Sequence, residues 1–172
     1  ILDAEIHNQL FDSGCTKEQA LGYQFFSLQF FTHCAKVAKL IGEPFDDAYQ
    51  LRLEAGYRFL TEVAEGGDEL PLFGDKDDGY VLNLGDHSHD VRAVADLYRV
   101  LFCAQEYGHH ESAYWLAGVP VVDQSPPEEV VELQSRAYSD AGHYFMQNGG
   151  GDERISLQID CAPLGDGLLT AH

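Results

Sequence analysis

In 172 residues the chain carries 10 Lys and Arg against 29 Asp and Glu, a formal charge of −19 at neutral pH. Neutralising phosphate needs basic side chains gathered on one face, so so few, spread over the whole length, argue against a nucleic-acid binder or a polybasic membrane-surface protein. Hydrophobic residues at 45% and aromatic residues at 12% suffice for a packed core and set the chain apart from disordered sequences.

No apolar run approaches the roughly 20 residues that cross a bilayer, because Lys36, Lys39, Arg52, Arg58, Arg92 and Arg99 interrupt every candidate. The length suits one domain, or one domain and part of another. The opening at Ile1 lacks the basic and apolar regions of a signal peptide, and Leu168-Leu169-Thr170-Ala171-His172 ends on a small apolar stretch. A fragment of a longer protein is the expectation.

The first clear element is predicted at Thr16-Lys17-Glu18-Gln19, a capping-box pattern, with a helix running to Ile41 and stopping at Gly42. Leu21, Phe25, Leu28, Phe31, Ala35, Ala38 and Ile41 follow helical spacing. Phe26, Phe30, Cys34 and Val37 add a second stripe, which predicts burial on more than one side. A second helix is capped by Asp46 or Asp47, carries Leu51, Ala55, Phe59 and Val63, and ends at Gly66-Gly67. The short Gly42-Glu43-Pro44-Phe45 link makes the two an αα-hairpin. A third helix is predicted from Asp90 to Glu106, closed by Gly108. The polar stretch from Asp68 to His89 is too long for a plain connector, and such loops are commonly functional.

A short amphipathic piece follows at Ser112 to Leu116, and Ser125-Pro126-Pro127-Glu128-Glu129 has the N-cap, proline and acidic first turn of a short helix. From Ala137 the period changes to two. His143 to Met146 and Ile155 to Asp160 are predicted strands, joined by the glycine-rich turn Asn148-Gly149-Gly150-Gly151-Asp152. Helices first and strands after give an α+β order. The predicted division is a helical domain over 1–120, a linker with a short helix over 121–136, and the start of a β domain over 137–172. Two strands alone make no stable β domain.

Several groups could carry chemistry. Gly74-Asp75-Lys76-Asp77-Asp78-Gly79 resembles the acidic half of a calcium loop but lacks the closing Glu, so a turn held by Asx hydrogen bonds is expected. Asp86-His87-Ser88-His89-Asp90 could bind zinc with a further ligand, or Ser88 or Asp90 could cap the third helix. His109-His110, just past a helix end, is expected to be structural. Cys15, Cys34, Cys103 and Cys161 form no C-x-x-C pair, and their redox state stays open. Tyr23 lies in the first turns of a long helix after Phe11-Asp12-Ser13-Gly14. A helix N-terminus favours an anionic substrate group nearby, although a core or rim tyrosine satisfied by backbone explains the position too.

Taken together, several segments resemble the heparinase II/III-like family of polysaccharide lyases, with alginate and oligoalginate lyases as relatives. Asp12-Ser13-Gly14 followed by Glu18-Gln19-Ala20-Leu21-Gly22-Tyr23-Gln24 is similar to the family's D-G…E-x-S-x-x-Y-H stretch, and Gly74 to Gly79 to its G-D-x-D-D-G loop. Asp140-Ala141-Gly142-His143-Tyr144, and Asp160-Cys161-Ala162-Pro163-Leu164-Gly165-Asp166-Gly167 through Ala171-His172, resemble the run leading into A-H-G-H-A-D.

The resemblance implies an α/α toroid, with residues 1–120 as its C-terminal part, followed by an antiparallel β-sandwich. Uronic-acid polysaccharides would be cleaved by β-elimination in the cleft between them. Tyr23 matches the family's general acid, sometimes also its base, and His172 the first histidine of H-G-H. Gln24 departs from the histidine that usually follows the tyrosine. The family's Asn-His pair and zinc ligands fall outside residues 1–172, so no cofactor is expected in this chain. The implied partner is an acidic polysaccharide or oligosaccharide, and the implied setting the periplasm or the outside of a bacterium. A non-catalytic carbohydrate-binding or scaffold relative is the alternative. A charge of −19 repels a polyanion, so a working lyase must gather local cations, for which Arg52, Arg58, Arg92, Arg99 and Lys76 are nearest in sequence. Self-association is expected of a partial toroid with an open strand edge.

Overall fold

A computed structural model of the chain describes residues 1–64, 70–71, 74, 79, 81, 91–122, 134–149 and 155–162. Among these lie five helices: α1 (Leu2–Gln9), α2 (Leu21–Leu40), α3 (Asp47–Ala64), α4 (Val91–Phe102) and the π-helical α5 (Ala113–Ala117). They precede an antiparallel sheet of β1 (Arg136–Tyr138), β2 (His143–Asn148) and β3 (Ile155–Asp160), in that spatial order. The fold is mixed helix and sheet in the α+β order. No helix among the described residues is long and apolar enough to cross a membrane.

The sequence pattern misses α1, whose sole buried residue is Ile6. One inward side chain in eight residues leaves no period to detect. The long helix α2 begins at Leu21 and not at Thr16. Gln19 adopts φ 65°, a left-handed conformation through which a helix cannot run. Thr16 instead pairs with Leu10 in an isolated bridge, and its hydroxyl accepts the Glu18 N–H at 3.2 Å, a local turn in place of a cap. The predicted stop holds: Gly42 takes φ +80° and the Glu43 N–H returns to the Ala38 carbonyl at 2.9 Å.

α2 buries Leu21, Phe25, Leu28, Phe31 and Ala38. Its second stripe is not buried, contrary to expectation: Phe26 and Phe30 are about 40% exposed, and Val37 is more exposed still. The reason is geometric, since α3 packs on the face that carries Leu28 and Thr32, where Gly56 meets Leu28 and the Tyr57 hydroxyl meets Thr32. Asp46 caps α3, its Oδ1 accepting the Tyr49 N–H at 2.9 Å. Ala55, Phe59 and Val63 face inward as predicted, but Leu51 is exposed, and Leu53, Tyr57 and Leu60 complete the buried face. Where α2 crosses α3, a Cβ on Gly56 would stand 2.5 Å from Leu28 Cδ2. That close approach locks the αα-hairpin.

α4 is shorter than the predicted span from Asp90 to Glu106. Ala104 takes φ 58°, a left-handed turn of the kind glycine usually marks at a helix end, and the Gln105 N–H bonds back to the Arg99 carbonyl at 3.2 Å. Gly66, Gly67, Asp90 and Ser125 to Glu129 lie outside the described residues.

The strands over β2 and β3 match the predicted ones, while the three-residue β1 is too short to show a period. Phe59 of α3 meets Tyr138 of β1 at 4.6 Å between ring centroids and Phe145 of β2 at 6.5 Å. The Tyr138 hydroxyl donates to Glu62 at 2.7 Å, and Arg136 pairs with the same carboxylate at 3.4 Å. One apolar cluster therefore runs from the helices into the inner face of the sheet. The outer face is apolar too, with Met146 of β2 and Ile155, Leu157 and Ile159 of β3 all exposed. All four cysteines are free.

Candidate active site at the start of α2

The loop before α2 is fixed by contacts only particular residues can make. Gly14 takes φ +93°, and a Cβ there would lie 2.1 Å from the Ala55 carbonyl oxygen, so the loop rests directly on the α3 backbone. Arg52 of α3 donates to the Leu10 carbonyl at 2.8 Å and to the carboxylate of Asp12. Gln24, fully buried, completes the junction. Its Oε1 accepts the Thr16 N–H at 2.9 Å, and its Nε2 donates to the carbonyls of Gly14 at 2.8 Å and Gly56 at 3.3 Å. The position where the family resemblance expects histidine is thus occupied by a structural clamp whose amide is spent on backbone.

Three other segments arrive at the same place. The Ser13 N–H donates to Asp140 Oδ2 at 2.8 Å, tying the loop to the turn before β2. Gly142, at φ +76°, lies against Ala162, and the Cys161 N–H donates to the Gly142 carbonyl at 2.9 Å. Gly74, at φ +64°, packs on Gln19 and Ala20, where a Cβ would stand 2.9 Å from the Gln19 carbonyl oxygen. Asp12-Ser13-Gly14, the segment Glu18 to Gln24, the first residue of the Gly74 loop and the Asp140 to His143 turn, distant in sequence, therefore surround one end of one helix.

Tyr23 is half-buried in the first turn of α2, which has neither an acidic residue nor a side-chain cap. Within α2 itself, the positive end of the helix dipole therefore meets no carboxylate of its own first turn. Tyr23 shares its helix face with Phe26 and Phe30, three and seven residues on, and not with the core. His172, the other predicted site residue, lies outside the described residues, as do Asp75, Lys76, Asp77, Asp78, His87 and His89.

Beneath this surface sit two groups the sequence did not single out for chemistry. His143 is 1% exposed with Nδ1 3.9 Å from Asp160 Oδ1. Burial pushes its pKa below the ordinary imidazole value, and the Asp160 carboxylate opposes that in part. Cys15 is fully buried, and burial, reinforced by Asp140 and Asp160, pushes its thiol well above the usual range. Burial thus disfavours the thiolate that a Cys-His nucleophile would need. Among the described residues no group of three or more His, Cys, Asp or Glu is arranged for a metal, so the zinc implied by the resemblance would draw on others.

Of the predicted cations, Arg52 is committed to the loop and Arg58 faces Glu54 at 3.9 Å, while Arg92 and Arg99 stand on α4. His109 and His110 have a structural role, by a different route from the helix dipole. Their N–H groups donate to Asp96 Oδ2 at 2.7 and 3.0 Å, and the His110 ring lies 3.4 Å from the same oxygen. Asp96 is 2% exposed on the inward face of α4. Its place in the row Ala93, Asp96, Val100 was the available signal, since a charge on an apolar face must find partners. Neither any protein-family model, nor any curated protein, nor any solved structure matches the chain.

Proposed function

We propose that the chain carries part of the cleft of a polysaccharide lyase that cleaves uronic-acid-containing polysaccharide by β-elimination, with Tyr23 as general acid. The observation that supports this reading is the meeting of four motif segments around the start of α2, with Tyr23 half-buried beside that junction. In β-elimination a base removes the C5 proton, the electrons form the C4–C5 double bond, and O4 leaves with a proton from an acid. A phenol half-sheltered at a helix N-terminus suits the last step, and the positive end of the helix dipole favours the uronate carboxylate beside it. Phe26 and Phe30 on the same face offer aromatic surface to sugar rings. His172 is the second cleft residue in this proposal.

The same reading makes the α2–α3 hairpin part of an α/α toroid and the β1–β3 sheet one layer of a sandwich. The exposed apolar outer face of the sheet is what a second sheet would cover. A carbohydrate-binding relative without chemistry is favoured by one observation, the use of Gln24 as a clamp in place of a histidine.

Incubating the full-length protein with alginate, heparan and other uronans separates the two. Rising ultraviolet absorbance from a C4–C5 unsaturated product with one of them supports the lyase. Saturable binding of a uronan without product supports the binding relative.

A further inference from the structure

On the side of α2 away from Tyr23, a cleft of about 690 Å³ opens between the C-terminal half of α2, the end of α4 and α5. Its size falls in the range of small-ligand sites, roughly 300–1,000 Å³. Lys36 is thirteen residues beyond Tyr23, which at 1.5 Å and 100° per residue places it about 20 Å along the helix and roughly on the opposite face. The cleft is separate from the proposed catalytic surface and does not depend on the lyase reading.

Its walls are mainly apolar, with Leu53, Val100, Phe102 and Leu116 prominent. Thr32 also lines it, but its hydroxyl is already held by the Leu28 carbonyl at 2.7 Å and by the Tyr57 hydroxyl at 2.8 Å. Gln50 is the other uncharged polar residue of the lining. The charge is all of one sign: Lys36 and Lys39 line the cleft, and among the described residues no acidic side chain does. Neither lysine makes a hydrogen bond or ion pair to a described residue. In a chain with 29 acidic residues against 10 basic ones, two unpaired ammonium groups over one apolar hollow stand out. Their i, i+3 spacing sets both heads on one rim, while their stems extend the apolar wall. Lys36 reaches across toward α5, its Nζ 3.9 Å from the Cβ position of Gly118.

We propose that this cleft binds an amphipathic organic monoanion, an alkyl carboxylate, with its carboxylate between Lys36 and Lys39 and its chain against Leu53 and Leu116. An apolar hollow supplies most of the affinity of such a ligand without direction, and the two lysines choose the end that is charged.

Equilibrium dialysis of the full chain against octanoate, with octanol as the neutral analogue of equal length, tests it. Octanoate is expected to bind saturably at one site, about tenfold more tightly than octanol, a difference in line with charge-assisted contacts. Lys36→Met with Lys39→Met, which keeps the apolar stems, is expected to bring octanoate down to octanol's level and leave octanol unchanged. With the unaltered protein, about 1 M salt, where screening acts over roughly 3 Å, should weaken octanoate and spare octanol. Absence of saturable octanoate binding overturns the proposal. So does binding of both ligands that neither the lysine replacements nor salt alters, which would place them on the exposed faces of α2 or the sheet.

Discussion

Replacing Gln24 with Leu keeps the side-chain bulk and removes the three hydrogen bonds its amide makes at the junction of the loop, α2 and α3. The Thr16 N–H loses its acceptor and the Gly14 carbonyl its donor, both in a site where Gln24 is wholly buried. The Gly56 carbonyl loses one of two partners, since it remains bonded within α3. A buried polar group left unpaired costs about 1–3 kcal/mol, so two such groups, offset in part by the added apolar burial, amount to about 3 kcal/mol. For a chain of this length that lowers the melting temperature by roughly 6–12 °C. Urea unfolding followed by far-ultraviolet circular dichroism should show a lower midpoint at unchanged slope. Gln24→Glu is the complementary change: it retains the acceptor for Thr16 but turns a carboxylate oxygen toward two carbonyls, so its penalty should be large at neutral pH and shrink in acid as the group protonates and can donate again. A loss below about 1 kcal/mol for Gln24→Leu would refute the clamp, because one unpaired buried group alone costs that much.

Asp96→Asn should destabilise by about 2 kcal/mol, as charge-assisted bonds from His109 and His110 become neutral ones. Burial raises the Asp96 pKa, but the His110 ring and the two amides outweigh it and the net direction is down. Its contribution is therefore complete above the ordinary carboxylate range and lost as pH falls through the lowered value. An acid-unfolding curve unchanged in the Asn variant would contradict this. For His143, burial lowers the folded pKa, so the unfolded chain takes the proton first. Stability from the neutral ring is complete above about pH 6.5 and lost as pH falls through the lowered folded value. His143→Gln should flatten that slope in urea melts taken between neutral and mildly acidic pH, with His33, also lowered by burial, retaining its own share. The 172-residue chain should self-associate through the exposed faces of α2 and β3, giving a scattering mass that rises with concentration. A monodisperse monomer throughout would contradict that expectation.

The αα-hairpin and the two longer strands were legible because their signals are local: Asp46 as cap, Gly42 as stop, a period of 3.6 and then of two. What escaped depended on contacts made far along the chain. The capping box at Thr16 is a sound local pattern, yet Gln24, eight residues on, holds that amide in place and Gln19 turns left-handed. Ala104 ends α4 without the glycine that announces such a turn. The burial expected for Phe26 and Phe30 failed because periodicity reports an apolar stripe and not what lies against it. At the candidate site the pattern identified Tyr23 and the motif segments, while their meeting at one end of α2, and the clamp role of Gln24, needed three dimensions.

The most direct measurement is turnover of a uronan by the full-length protein with Tyr23→Phe, followed by the absorbance of the unsaturated product and paired with a thermal melt. Tyr23 is half-buried outside the core, and Phe retains its ring, so the melt separates loss of chemistry from loss of fold. Loss of a general acid typically costs about 10²- to 10⁴-fold. A fall in kcat of at least about 100-fold with an unchanged melting temperature is the predicted result. Near-normal turnover in the same variant would remove Tyr23 from the chemistry and contradict the proposed site.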